Sequence, residues 1–174
     1  VNGLISYKTL FSRGCPYNCA YCFSFRKMYK AQKYLRFRSI ENIIQELELV
    51  KEKYNYIQMI WFVDDNIFAL PIEKIKEFCR SYKEKIGLHM EFAGHPRDIN
   101  EEKLSYFIDA GMIRIHMGVQ TGSKKTQKLY KRVIPDETIL KAVQTIHKFK
   151  DSLKANYDII IDNPYETNED IIDT

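Results

Sequence analysis

Short apolar runs alternate along the chain with longer stretches in which apolar residues recur every three or four positions. The short runs predict strands, and the longer repeats predict amphipathic helices. The predicted strands are residues 4–12, 57–63, 89–93, 112–119 and 157–161. Helices are predicted from Ser39 to Tyr54, Pro71 to Gly87, Asn100 to Gly111, 123 to 132, 136 to 150, and from Thr167 onward. This alternation indicates an α/β fold with parallel strands and right-handed crossovers, an open or closed barrel.

Length and composition favour one domain. The chain has 174 residues, of which 45% are hydrophobic, which is enough for one ordinary core. We therefore predict a single domain over residues 1–174. The first residue is Val1 rather than methionine, and Thr174 ends the chain inside a predicted helix. We expect the domain to be a fragment of a longer protein.

Charge and hydropathy exclude some classes of function. The formal net charge is +4, from 27 basic and 23 acidic residues, and so weak a field does not indicate nucleic-acid binding. No apolar run approaches the roughly 18 residues that a membrane-spanning helix needs. The beginning of the chain lacks the order of charged, apolar and small residues that marks a secretory signal. We predict a soluble, cytoplasmic protein without a membrane span.

Basic residues are concentrated in one segment. They are Arg26, Lys27, Lys30, Lys33, Arg36 and Arg38, and they are interleaved with Tyr29, Tyr34 and Phe37. One interpretation is a solvated connection between elements. The other is a docking surface for an anionic partner or substrate. The pattern alone leaves both open.

Polar and small residues follow the C-terminal ends of the predicted strands. They are Cys15, Cys19, Cys22, Asp64, Asp65, Asn66, Gly94, His95, Arg97, Gln120, Thr121, Asp162 and Asn163. In a barrel of parallel strands those ends meet on one face, where functional residues gather. We therefore predict a functional site on that face, with His95 either as a contact to a ligand or as a structural hydrogen-bonding residue.

Three of the four cysteines form the pattern C-x3-C-x2-C, from Cys15 through Cys19 to Cys22. This spacing lets three thiolates converge on one inorganic centre. A [4Fe-4S] cluster normally takes four thiolates, so three would leave one iron open, whereas structural zinc needs a fourth protein ligand. Cys79 lies in a helical apolar pattern and is predicted to fill the core. The odd number of cysteines in the motif argues against a disulfide.

The cysteine motif, with Tyr21 just before its last cysteine, resembles the signature of radical S-adenosylmethionine (SAM) enzymes. The resemblance implies that Cys15, Cys19 and Cys22 ligate a [4Fe-4S] cluster whose open iron binds SAM. It implies a partial (βα)6 TIM-like parallel barrel, here truncated to about five βα units. It also implies cleavage of SAM to methionine and a 5′-deoxyadenosyl radical, with electrons from a donor such as flavodoxin or ferredoxin. The substrate stays unknown.

The same resemblance assigns residues to SAM. Asp64, Asp65 and Asn66 stand where many members carry Gly-Gly-Glu, which binds the methionine amino group. Gln120 and Thr121 match the ribose motif, Arg132 matches an arginine against the methionine carboxylate, and Asp158 and Asp162 match the adenine motif. Tyr21 is expected beside the adenine. These residues are the predicted cofactor-binding set.

Two stretches depart from the common pattern of the family. Asp64-Asp65-Asn66 and Asp162-Asn163-Pro164 resemble the subgroup whose radical domain follows a cobalamin-binding domain. If the full protein carries such a domain outside this chain, methyl transfer is the favoured reaction. Two rivals stay open: a zinc-binding or nucleic-acid-binding module, and a degenerate, non-catalytic barrel that does not bind SAM.

Overall fold

The computed structural model describes residues 3–23 and 35–174. The strands are β1 Ser6–Thr9, β2 Ser12–Arg13, β3 Arg36–Phe37, β4 Met59–Phe62, β5 His89–Gly94, β6 Met112–Gln120 and β7 Lys154–Ile159. The helices are α1 Ile40–Lys53, α2 Ile72–Lys85, α3 Glu101–Asp109, α4 Lys124–Leu129, α5 Asp136–His147 and α6 Asn168–Ile172, with a 3-10 turn at Ile67–Ala69.

The main sheet has the strand order β1-β4-β5-β6-β7, and each neighbouring pair is parallel. Helices connect successive strands, as a βα barrel requires. The prediction of a parallel α/β fold is confirmed. The carboxyl ends of these strands lie along one edge, which is where the polar residues were predicted to meet.

Alternate side chains on each strand face opposite sides of the sheet. The outer side packs against helices, and aromatic rings fill the layer between them. Phe62 and Phe92 stack with ring centroids 4.7 Å apart, and Phe107 from α3 lies 4.7 Å from Phe92. The inner side carries polar side chains, among them Glu91 and His116, which are hydrogen-bonded to each other. The interior of the barrel is therefore polar next to an aromatic outer core.

The helix ends follow local chemistry that could be predicted from the sequence. The side chain of Ser39 accepts a hydrogen bond at the start of α1, and that of Asn100 does so at the start of α3. Thr167 and Asp170 form a capping box at α6. Gly87 has φ +64° just beyond α2, a conformation that favours glycine. These predicted boundaries are confirmed, with α2 starting one residue after Pro71.

The first strand is shorter than predicted. A single strand over 4–12 was expected, but β1 ends at Thr9 and β2 pairs antiparallel with β3. The cause is Asp64, whose carboxylate accepts hydrogen bonds from the backbone amides of Phe11 and Ser12. Those amides are thereby withdrawn from the parallel ladder, and the chain turns away.

The last strand and two helices also differ from their predicted ranges. β7 covers Lys154–Ile159 rather than 157–161. Its first half has polar residues at alternate positions, so no apolar run marks the start of the strand in the sequence. α4 ends at Leu129 rather than at residue 132. α5 ends at His147 rather than at residue 150.

Part of the predicted basic segment lies outside the described residues. This part comprises Arg26, Lys27, Lys30 and Lys33, with Tyr29 and Tyr34. Of the remainder, Arg38 forms an ion pair with Glu46 at 2.6 Å and donates to the carbonyl of Leu10 at 3.2 Å. Arg38 therefore ties β1 to α1. Across residues 3–23 and 35–174, no helix is both long and apolar enough to cross a membrane.

Candidate functional site

A cavity of about 200 Å³ lies at the carboxyl ends of the strands. It is lined by Cys15, Cys19, Tyr21, Cys22, Asp65, Ala93, Gly94, His95, His116, Gly118, Gln120, Arg132 and Asp158. The three motif cysteines thus share one cavity with five of the residues predicted to bind SAM. The other four predicted residues, Asp64, Asn66, Thr121 and Asp162, are not part of its lining.

The cysteine loop is held against two neighbouring loops. The ring of Tyr17 stacks on His95 at a centroid distance of 3.7 Å, and the hydroxyl of Tyr17 bonds to Asp98. On the other side, the amide of Ala20 donates to the carbonyl of Tyr130 at 2.7 Å. These contacts fix the positions from which the cysteines project.

Burial raises the pKa of the Cys15 thiol to about 11, and the nearby Asp65 carboxylate acts in the same direction. A thiolate at this position therefore needs positive charge beside it, which bound iron supplies. The donor set, three sulfurs on one cavity wall, fits a cluster in which each thiolate binds a different iron.

Arg132 enters the cavity from the end of α4. The amide of Lys131 donates to the carbonyl of Lys128, and the amide of Arg132 donates to the carbonyl of Gln127 at 2.9 Å. With Lys131 at φ +50°, this is a Schellman motif, which turns the chain sharply after the helix. The turn sends Arg132 inward, where its Nη2 donates to the carbonyl of Gly118 at 2.6 Å and its Nη1 lies 3.6 Å from Cys19 Sγ.

Replacing Lys131 with glycine should raise the free energy of unfolding by about 0.5–1 kcal/mol, because glycine adopts positive φ without the steric cost that lysine pays. The matched control is Lys128→Gly, which places the same residue inside α4 and should lower stability by about 1 kcal/mol. Urea denaturation of the three proteins checks the pair. Equal signs for both substitutions would contradict the assigned turn.

Gly118 makes room for two side chains in the cavity. A Cβ at this position would lie 2.3 Å from Nε2 of Gln120 and 3.5 Å from Nη2 of Arg132. Gln120 itself has φ +74° at the end of β6, which turns its side chain back over Gly118. The absence of a side chain at Gly118 therefore allows Gln120 and Arg132 to converge.

In the stretch Asp64-Asp65-Asn66, the three side chains have different surroundings. Asp64 is 2% exposed and bonds to the amides of Phe11 and Ser12. Asn66 donates to Asp98 at 2.6 Å, and its Oδ1 accepts from the amide of His95 at 3.2 Å. Asp65 is exposed and lines the cavity. The outer two residues therefore tie together the loops around the site, and Asp65 faces it.

Two more predicted residues lie outside the cavity wall. Thr121 is buried, and its Oγ1 accepts a hydrogen bond from the amide of Ser123 at 3.1 Å. Asp162 is exposed and has φ +61°, a left-handed conformation that aspartate tolerates better than most residues. Their predicted contacts with SAM stay predictions.

His95 is a buried, neutral group at the cavity wall. Its Nδ1 accepts a hydrogen bond from the amide of Arg97 at 3.2 Å, so the proton of the neutral ring is on Nε2. Burial, together with the positive charges of Arg132 and Arg97, lowers the pKa of His95 to about 3.

This shift predicts a loss of stability in acid. In the unfolded chain a histidine has a pKa of about 6.5, so below that pH the unfolded state binds a proton that folded His95 refuses. In the metal-free protein, the free energy of unfolding should therefore fall by about 1 kcal/mol between about pH 7.5 and about pH 5.5 through this group alone. His95→Asn, whose Oδ1 can still accept from Arg97, should lose less over that range in urea denaturation. An equal loss in both proteins would contradict the assignment.

A polar cluster that reaches the cavity wall was not predicted from the sequence. Glu91 accepts from Arg114 at 2.8 Å and bonds to Nε2 of His116 at 2.6 Å. His116 lines the cavity, and its Nδ1 lies 3.9 Å from Asp158. The available signal was the presence of charged residues at alternate positions in the otherwise apolar strands β5 and β6. Alternation places those residues on the inner side of the barrel.

Cys79 lies in the hydrophobic core on α2, 4% exposed, as predicted. Burial raises the pKa of its thiol to about 12. It is absent from the cavity wall that holds the other three cysteines, so it is not placed to complete a zinc site with them. In the described part of the chain, no three His, Cys, Asp or Glu side chains are arranged to hold a single metal ion. None of the four cysteines, all of which are described, forms a disulfide.

Comparison with known families agrees with this geometry. Residues 9–174 match the family described as the Radical SAM superfamily. The chain belongs to the Radical SAM superfamily. Members of this superfamily use a [4Fe-4S] cluster and SAM. The resemblance carried by the cysteine motif is therefore confirmed at the level of the family.

The radical SAM chain is similar to parts of larger proteins. It is 28% identical over 160 residues to an uncharacterized methyltransferase of Pyrococcus horikoshii, covering 92% of this chain and 34% of that protein. It is 26% identical over 170 residues to the tRNA-2-methylthio-N(6)-dimethylallyladenosine synthase of a Sulfurihydrogenibium species, covering 93% of this chain and 38% of that protein. The chain thus spans little more than a third of these relatives.

A solved structure shares the fold. The radical SAM chain superposes on OxsB, described as a cobalamin-dependent S-adenosylmethionine radical enzyme with aqua-cobalamin and SAM bound, with a TM-score of 0.75. The match covers 98% of this chain and 26% of OxsB at 20% identity. The partial TIM-like barrel that the family resemblance implied is confirmed.

Proposed function

We propose that the chain is the cluster-binding and cofactor-binding domain of a radical SAM enzyme. The observation that carries the proposal is the convergence of Cys15, Cys19 and Cys22 with Gln120 and Arg132 around one cavity. When bound and reduced, the [4Fe-4S] cluster supplies the electron that splits SAM into methionine and a 5′-deoxyadenosyl radical. Three thiolates leave one iron of the cluster open for SAM.

The cavity wall offers a partner to each polar part of SAM. Nε of Arg132 is buried and has no hydrogen-bond partner among the described residues, so it is available to the methionine carboxylate. Asp65 provides an acceptor for the ammonium group, and the Gln120 amide can bond to the ribose hydroxyls. Tyr21 and Asp158 complete the wall on the adenine side in this assignment.

We assign Asp64, Asn66 and Thr121 an indirect part in the same site. The side chains of Asp64 and Asn66 bond to neighbouring loops, and the hydroxyl of Thr121 bonds to that of Thr174 beyond α6 at 2.9 Å. In this assignment they hold in place the residues that face SAM. Such supporting residues keep a site in its binding geometry before the cofactor arrives, which lowers the cost of ordering it. The left-handed backbone of Asp162 sets the direction of the loop that follows β7.

We also propose that the chain is one domain of a longer, cobalamin-dependent methyl-transferring enzyme. Three facts support this: the chain covers 34% of a relative named as a methyltransferase, it shares its fold with cobalamin-dependent OxsB, and it carries the Asp64-Asp65-Asn66 stretch. A flavodoxin or ferredoxin is the expected reductant. A reducing compartment such as the cytoplasm suits thiolates that must stay available to iron.

Product analysis tests this function. The full-length protein is reconstituted with iron and sulfide without oxygen, reduced with dithionite and given SAM, first alone and then with cobalamin. We expect 5′-deoxyadenosine and methionine by mass spectrometry, none of either with Cys22→Ala, and S-adenosylhomocysteine when cobalamin is added. An intact cluster that leaves SAM uncleaved would favour the non-catalytic barrel.

A further inference from the structure

Arg132 makes a contact that SAM binding alone does not explain. Its Nη1 lies 3.6 Å from Sγ of Cys19, within hydrogen-bond distance for sulfur. Cys19 is 7% exposed, and it is the most deeply buried of the three motif cysteines. A guanidinium is charged at every pH at which proteins fold. A permanent positive charge therefore adjoins a buried sulfur.

This contact is held from several sides. Nη2 of the same guanidinium donates to the carbonyl of Gly118 at 2.6 Å, and the Schellman turn at Lys131 fixes the backbone from which the side chain extends. The Tyr21 hydroxyl also interacts with Cys19, but a phenol is an uncharged donor at neutral pH. Among these neighbours of the sulfur, Arg132 supplies the charge and Tyr21 does not.

A donor of this kind changes the redox chemistry of an iron-sulfur cluster. Reduction adds negative charge to the cluster and its sulfurs. Hydrogen bonds and positive charges at a ligand sulfur stabilise the reduced form and raise the potential. Burial strengthens the effect because the local dielectric is low. At Cys15 the acidic Asp65 has the opposite sign, so the two ligands lie in unlike fields.

We propose that Arg132 raises the reduction potential of the cluster by donating from Nη1 to the sulfur of Cys19. The inference rests on the proposed cluster at Cys15, Cys19 and Cys22. It assigns Arg132 a second task beside binding the methionine carboxylate through Nε. One guanidinium would thereby contact both a ligand of the cluster, which supplies the electron, and SAM, which receives it.

The test is an EPR-monitored redox titration of the reconstituted full-length protein without SAM. The variants are Arg132→Gln, Arg132→Lys and, as the control, Lys131→Gln, which removes one charge from the adjacent exposed residue. We expect a more negative midpoint potential for Arg132→Gln, a smaller shift in the same direction for Arg132→Lys, and none for Lys131→Gln. Lysine keeps the charge but has one nitrogen in place of the two that contact Cys19 and Gly118.

The midpoint potentials of the variants either support the role of Arg132 or overturn it. An Arg132→Gln potential equal to that of the wild type overturns the inference, as does an equal shift for Lys131→Gln, which would show distant charge rather than contact. If Arg132→Gln does not assemble a cluster, the Arg132→Lys potential decides: a negative shift supports the inference and no shift overturns it. Failure of the wild type to assemble any cluster overturns the proposed function itself, which is a separate result.

Discussion

Replacing Cys22 with alanine should abolish assembly of the iron-sulfur cluster, whereas replacing Cys79 with alanine should leave its iron and sulfide content unchanged. Cys22 lines the cavity with Cys15 and Cys19, while Cys79 is in the hydrophobic core. Loss of one of three thiolates leaves two irons without a protein ligand. Loss of Cys79 empties a small volume in the core and should lower the free energy of unfolding by about 1 kcal/mol.

The measurement is the iron and sulfide content of each protein after reconstitution without oxygen and removal of unbound iron. Both variants remove one thiol, so the comparison separates the position of a cysteine from the number of cysteines. Retention of the full iron content by Cys22→Ala would contradict the ligand assignment. Loss of iron from Cys79→Ala would point instead to a site that includes all four cysteines.

The variant Glu91→Ala should lower the free energy of unfolding by about 3–5 kcal/mol. Arg114 and Glu91 are 6% and 3% exposed at their side chains and bond at 2.8 Å. Removing the carboxylate leaves the guanidinium buried without its counterion, and His116 loses its partner at 2.6 Å. The cost comes mainly from the stranded charge, not from the lost attraction.

Urea denaturation of the metal-free proteins measures this effect, with Asp109→Ala as the matched control. Asp109 pairs with Lys83 at 2.7 Å, but both side chains are more than half exposed, so that loss should cost less than about 1 kcal/mol. The double variant Glu91→Leu with Arg114→Met should recover most of the stability, because it leaves no charge unpaired. A Glu91→Ala protein within about 1 kcal/mol of the wild type would show that the pair is not sealed from water.

Much of the fold could be predicted because its signals are local. The apolar repeats of α1 and α2, the caps at Ser39 and Asn100, and the turn at Gly87 depend on neighbours in the chain. The short pairing of β2 with β3 could not be predicted in this way. It depends on Asp64, which is 52 residues from Ser12 in the chain and accepts a hydrogen bond from the backbone amide of Ser12.

Part of the candidate site could likewise be predicted from the sequence, and part could not. The three motif cysteines and Arg132 could be recognised, and these four residues line one cavity. The different directions of Asp64, Asp65 and Asn66 could not, because each direction is set by loops from other strands. The cluster of Glu91, Arg114 and His116 could not be predicted from the apolar runs of β5 and β6, because it forms between polar residues that alternate with those runs and bond across the two strands.

EPR spectroscopy of the reconstituted, dithionite-reduced protein, recorded with and without SAM, tests the central claim most directly. We predict a reduced [4Fe-4S] signal that changes when SAM is added, because Cys15, Cys19 and Cys22 leave one iron open to it. A signal that stays the same at saturating SAM would contradict the claim, and so would a protein that binds zinc and assembles no cluster.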